Sequence, residues 1–270
     1  MSLPLLVEAT DLSKHLADSN LIIIDLSSPE NYAAGHIPGA IHLPSARLLM
    51  GEGPIPNKCP SDQQIVQLCQ DIGLDSDKQV VAYDDQKGPW AGRLMWTLNI
   101  ADHEKCSVLN GQLDAWKKQG FELEQSANSV NASQFRPKIN RDLIADVDFI
   151  LNHIEDSSLS IWDARSEPEY LGDKVINAQK GGHIPGANLL EWTDCLISED
   201  DLRLKPDAEI LEQLANQGIT PNKTVVTHCQ THRRSGLTYL VARHLGFNDI
   251  RCYDGSWFEW GNLPHTPVEK

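Results

Sequence analysis

The sequence predicts an α/β fold: two tandem domains, each a mostly parallel sheet flanked by helices. Three observations predict it. Landmark motifs recur in the same order in the two halves of the chain. Short apolar runs of strand length, at 21–24, 79–82 and 224–227, carry no polar alternation, as strands covered on both faces do. Between them lie positions at helical spacing: Ile65, Leu68 and Cys69; Ile210, Leu211 and Leu214; Leu237, Leu240, Val241 and Leu245. Strands alternating with helices imply parallel sheets, with ligand sites beyond the carboxyl ends of the strands.

The repeat can be followed element by element. A first strand and turn, ending at Tyr32 and continuing as Gly35-His-Ile-Pro-Gly-Ala40, matches one ending at Tyr170 and continuing as Gly182-His-Ile-Pro-Gly-Ala187. Asp25 aligns with Asp163. The strand Asp77-Lys-Gln-Val-Val-Ala-Tyr-Asp84 matches Asn222-Lys-Thr-Val-Val-Thr-His-Cys229. Asn110-Gly-Gln-Leu-Asp-Ala-Trp116 matches Asp254-Gly-Ser-Trp-Phe-Glu-Trp260. The expected division is a domain over 1–126, a polar linker over 127–140 and a second domain over 141–270.

Composition narrows the function. The 270-residue chain is 40% hydrophobic and 23% charged, with a net charge of −15. That is ordinary globular usage. The charge argues against nucleic acid or an anionic membrane as partner. The amino-terminal residues lack the basic start and apolar core of a secretory signal. The six cysteines form no Cys-x-x-Cys pair and no histidine cluster at zinc spacing, so no metal site and a reduced, cytoplasmic protein are expected.

The chemistry concentrates in one loop. Cys229 ends a strand, and a helix is expected from Ser235, with Ser235 as its N-cap. Cys229, Gln230, Thr231, His232, Arg233, Arg234 and Ser235 thus form a strand-to-helix loop. Its backbone N–H groups and helix dipole face the cysteine. His232, Arg233 and Arg234 add positive charge. Each factor favours the thiolate, and the same cradle suits an anionic substrate. A buried, inert cysteine is the ordinary alternative, and it is the reading for the other five. In the first copy Asp84 stands in place of Cys229, and a carboxylate is not the nucleophile that a thiolate is. Asp163 and Arg165 follow a strand and form either a tie to this loop or a plain ion pair. The first copy has Ser27 in place of Arg165, which favours the tie. His36 and His183 are expected to brace their Pro-Gly turns through hydrogen bonds.

The repeated Gly-His-Ile-Pro-Gly-Ala block and the Tyr253-Asp-Gly-Ser-Trp-Phe-Glu-Trp260 run resemble the tandem-domain rhodanese (thiosulfate sulfurtransferase) family over nearly the whole chain outside the linker. The resemblance implies two rhodanese-like domains, catalysis only in the second, and a persulfide on Cys229. It also implies a small anionic donor, thiosulfate, and a thiol or cyanide acceptor, with a protein acceptor left open and no cofactor. Family members that use 3-mercaptopyruvate have a glycine-rich Cys-Gly-(Ser or Thr)-Gly-Val loop. Here Gln230, Thr231 and His232 stand instead, and Glu169 replaces an arginine found before the tyrosine in mammalian-type enzymes. Both departures weigh towards thiosulfate. The His228-Cys229 pair also suggests a cysteine phosphatase, but Arg234 falls one residue too early for a His-Cys-x5-Arg loop. A persulfide carrier or binding module is the non-enzymatic alternative.

Overall fold

Nine strands build two sheets among the described residues, and every strand pair is parallel. The computed structural model describes residues 3–270. The first sheet holds β1 (Leu6–Val7), β2 (Leu21–Asp25), β3 (Ile41–His42), β4 (Gln79–Tyr83) and β5 (Cys106–Leu109) in the order β1-β5-β4-β2-β3. The second holds β6 (Leu159–Asp163), β7 (Ala187–Leu189), β8 (Thr224–His228) and β9 (Ile250–Cys252) in the order β7-β6-β8-β9. The position matching β1 is reduced there to a single parallel bridge, Ile144 to Cys252. Registers agree between copies: Asp25 pairs with Tyr83, and Asp163 with His228.

The chain divides into two compact units. The first comprises residues up to Met50, Cys59–Asn140 and Ile197–Leu204; the second comprises Gly51–Lys58, Arg141–Leu196 and Lys205–Lys270. Each has its own core from equivalent positions. In the first, Ile23, Ile37, Val81, Leu109 and Trp116 are buried together, and in the second Ile161, Ile184, Val226, Tyr253 and Trp260. The central strands are buried on both faces, as in a parallel sheet covered on either side by helices. No described helix is long and apolar enough to cross a membrane.

Both Pro-Gly turns are braced as expected. The Tyr32 and His36 rings stack at 3.8 Å, and Tyr170 and His183 at 3.7 Å. Each tyrosine hydroxyl donates to the alanine carbonyl that closes the turn, at 2.9 Å for Ala40 and 2.7 Å for Ala187. Each histidine Nδ1 meets the tyrosine carbonyl, at 2.8 and 3.0 Å.

One expectation needs correcting. The helix after the cysteine loop runs Arg234–His244, one residue earlier than the sequence suggests, with Arg233 rather than Ser235 at the N-cap. Ser235 is fully buried inside the first turn, and its hydroxyl points back into the loop instead of capping.

The glycines opening the two turns have positive φ, 154° at Gly35 and 123° at Gly182, but their surroundings differ. A Cβ at Gly182 would lie 2.1 Å from the Glu269 carbonyl oxygen, while one at Gly35 would meet the flexible Leu123 side chain at 3.2 Å. Gly182→Ala should therefore lower the unfolding free energy by about 3 kcal/mol and Gly35→Ala by about 1 kcal/mol. Urea unfolding of the two variants checks the order.

Candidate active site

Cys229 follows β8 directly and is 1% exposed. The loop folds back around it because His232 adopts a left-handed conformation, φ 52°. The amides of Thr231 and Ser235 then converge on the sulfur. The Ser235 hydroxyl donates to Sγ at 3.5 Å and lies 2.7 Å from His232 Nδ1. Below the loop, the Cys229 amide donates to Ser256 Oγ at 3.4 Å, and the Cys229 carbonyl accepts from the Trp257 amide at 3.0 Å. Phe258 similarly donates to the Gln230 carbonyl at 2.9 Å. The run Gly255-Ser-Trp-Phe258 is thus the floor on which the loop is built.

The sequence-identified residues divide by geometry. Arg234 approaches the sulfur and hydrogen-bonds it. Arg233 is exposed at the helix start. The His232 ring, expected to add charge facing the substrate, is fully buried against Ser235. The Gln230 side chain donates away from the sulfur, to the Ile176 carbonyl. Asp163 and Arg165 form a buried bidentate pair, with Nη2 to Oδ2 at 2.6 Å. Arg165 also donates to the Gly182 carbonyl at 2.8 Å and lies 4.3 Å from the Trp257 ring. Asp163 Oδ2 lies 3.6 Å from His228 Nε2. The pair therefore reaches the loop through its floor and through the residue before the cysteine.

In the sequence, Glu169 stands out only as a departure from a pattern. In the structure it grips Arg234 with both oxygens, at 2.7 and 2.8 Å, and accepts the Ser166 hydroxyl at 2.7 Å. Burial opposes its charge, but Arg234 and Ser166 outweigh burial and hold its pKa down at about 2. The signal that was available is local: Ser166-Glu-Pro-Glu169 is a capping box at a helix start. It fixes Glu169 in place without revealing which guanidinium it meets.

These contacts set the thiol's acidity. Burial raises the pKa of Cys229, but Arg234, the Ser235 hydroxyl and amide, and the Thr231 amide together bring it below the ordinary thiol value. Burial without such partners pushes Cys69 and Cys195 up to about 12. A low-pKa thiolate among amide donors is a nucleophile in an anion cradle.

The first unit has the same loop with a different occupant. Lys87 takes the left-handed place of His232, φ 75°. Gln112 takes that of Ser256, its side-chain oxygen accepting the Asp84 amide at 2.9 Å. The Asp84 carboxylate fills the cradle, accepting the amides of Gln86, Gly88 and Trp90 at 2.8 Å each and Ala91 at 3.1 Å. At the Glu169 position, Asn31 donates to Asp85 at 2.6 Å, with no guanidinium.

Comparison with known proteins agrees with the duplicated architecture. The family model described as "Rhodanese-like domain" matches residues 8–119 and 146–263. The chain is 42% identical over 268 residues to the thiosulfate sulfurtransferase of Azotobacter vinelandii, covering 99% of this chain and 98% of the relative. It is 41% identical to that of Pseudomonas aeruginosa, covering 99% and 97%. The crystal structure of a 3-mercaptopyruvate sulfotransferase from Escherichia coli superposes with a TM-score of 0.82 at 26% identity, covering 94% of this chain and 99% of that one.

Two outcomes follow from the electrostatics. Arg234→Ala removes a charge that stabilises the thiolate, so the pH inflection of Cys229 alkylation by iodoacetamide should move up and the rate at neutral pH fall about tenfold. For Glu169 the folded pKa lies below the unfolded value of about 4.3. Its stabilisation is thus complete above that value and is lost as pH falls towards the folded pKa of about 2. Glu169→Gln should cost about 2 kcal/mol at neutral pH, with the difference from the parent shrinking through the acid range. Urea titrations across pH measure it.

Proposed function

The chain belongs to the rhodanese-like family, and on that premise we propose that it is a thiosulfate sulfurtransferase working by double displacement through a persulfide on Cys229. The observation that carries the reading is the Cys229 thiol, held below its ordinary pKa inside a cradle of amides and the Arg234 guanidinium. The relatives named thiosulfate sulfurtransferase support the choice of donor.

The thiolate attacks the outer sulfur of thiosulfate. A bond forms between Cys229 Sγ and that sulfur as the sulfur–sulfur bond of thiosulfate breaks, and its electron pair leaves with sulfite. The outer sulfur now carries the negative charge, and the Thr231 and Ser235 donors together with Arg234 stabilise it as they stabilised the thiolate. Exposed Arg233 draws the dianion in. In the second displacement a cyanide ion or a thiolate attacks the outer sulfur. The persulfide bond breaks, and the electron pair returns to Cys229.

The second domain, 141–270, carries this chemistry. The first, 1–126, does not, because the Asp84 carboxyl itself occupies the equivalent cradle and offers no nucleophilic sulfur. Six free, buried cysteines fit a cytoplasmic setting.

The test is thiocyanate formation from thiosulfate and cyanide, with 3-mercaptopyruvate as a parallel donor. We expect turnover with thiosulfate, loss of at least 1,000-fold in Cys229→Ser, on the order of the effect of removing a covalent nucleophile, and retention of the rate in Asp84→Asn. A preference for mercaptopyruvate would overturn the donor assignment. Full activity in Cys229→Ser would overturn the mechanism.

A further inference from the structure

Beside the active loop lies a cavity of about 200 Å³ that the double displacement leaves unused so far. It belongs wholly to the second unit, which includes the segment Gly51–Lys58. Ile55, Pro56 and Phe258 give it apolar walls, Asn57 and Asn177 supply amides, and Thr231 joins it to the loop. Among the described residues, none of those lining it is ionised. Its walls are tied to the reacting centre. The Thr231 amide faces the Cys229 sulfur, while the Thr231 carbonyl accepts from the Asn57 side chain at 3.4 Å. The Phe258 amide holds the Gln230 carbonyl. The loop therefore has two different flanks: a cationic one at Arg234, suited to a dianion, and this uncharged one at Thr231.

We propose that this cavity is the acceptor subsite, and that it takes a small uncharged thiol whose apolar body packs on Ile55, Pro56 and Phe258. The inference rests on the sulfurtransferase reading and extends it to the second substrate. An ionised acceptor body would lose its hydration there with no counter-ion among the lining residues, whereas a neutral amide would find amide partners. The acceptor thiol gives its proton to solvent. Its sulfur bonds to the outer sulfur of the persulfide, the bond to Cys229 Sγ breaks, and the acceptor leaves as a persulfide with the Cys229 thiolate restored.

Because the two half-reactions are separate, donor and acceptor effects can be read independently. Parent protein and an Ile55→Asp variant are treated with thiosulfate alone, and sulfite release with the mass gain of one sulfur records persulfide formation. Decay of the persulfide is then followed with N-acetylcysteinamide, its carboxylate twin N-acetylcysteine, and cyanide, at equal concentrations of each ionised nucleophile. The expected result is a preference of about tenfold for the neutral thiol, an order of magnitude typical for a few apolar contacts. Ile55→Asp should cut that preference while leaving sulfite release and the cyanide reaction unchanged. Equal rates for the twin thiols, or equal slowing of both half-reactions by Ile55→Asp, would overturn the assignment. Absence of any persulfide in the parent would instead overturn the sulfurtransferase reading, and this inference with it.

Discussion

A ring of backbone N–H groups at the junction of β8 and the following helix demands negative charge at its centre. Amides oriented inward with the positive end of a helix behind them cannot satisfy one another. The chain places the Cys229 sulfur there in one unit and the Asp84 carboxyl in the other. The other features of the second site serve this requirement. Ser256 and Trp257 fix the cysteine's own backbone, His232 turns the loop and orients Ser235, and Arg234 adds full charge where the amides give only partial charge.

The comparison between copies separates scaffold from chemistry. Loop length, the left-handed turn residue and the floor contact recur in both units, so none of them distinguishes a reactive centre from an inert one. What differs is the central residue and the guanidinium with its anchor. A carboxylate in the cradle is a permanent, covalently attached ligand, and its fourfold amide coordination ties that loop to its own helix.

Much of this was legible in the sequence because the determinants are local. The duplicated Gly-His-Ile-Pro-Gly-Ala turns, the position of Cys229 between strand and helix, and the contrast with Asp84 all follow from spacing and residue type. Three features escaped for physical reasons. Glu169 meets Arg234 across 65 positions, and its capping box fixes only its own helix. Ser235 has an N-cap's chemistry, but the sulfur and His232 outcompete the helix end for its hydroxyl. The assignment of Gly51–Lys58 to the second unit and Ile197–Leu204 to the first leaves no periodicity or composition shift to read.

That last feature bears on how the molecule can be taken apart. A gene cut in the linker would yield two polypeptides, neither holding all the residues of one unit. The carboxyl-terminal fragment would keep Cys229, Arg234 and Glu169 but lose Ile55, Pro56 and Asn57 from the cavity beside them. During synthesis, the second unit has its earliest piece, Gly51–Lys58, waiting from near the start of translation, while the first, otherwise complete at Asn140, must wait for Ile197–Leu204. Such long sequence separation slows assembly and discourages premature closure of either unit. The duplication supplied two similar folds, and the exchange of short segments leaves neither to be completed from one continuous stretch of chain.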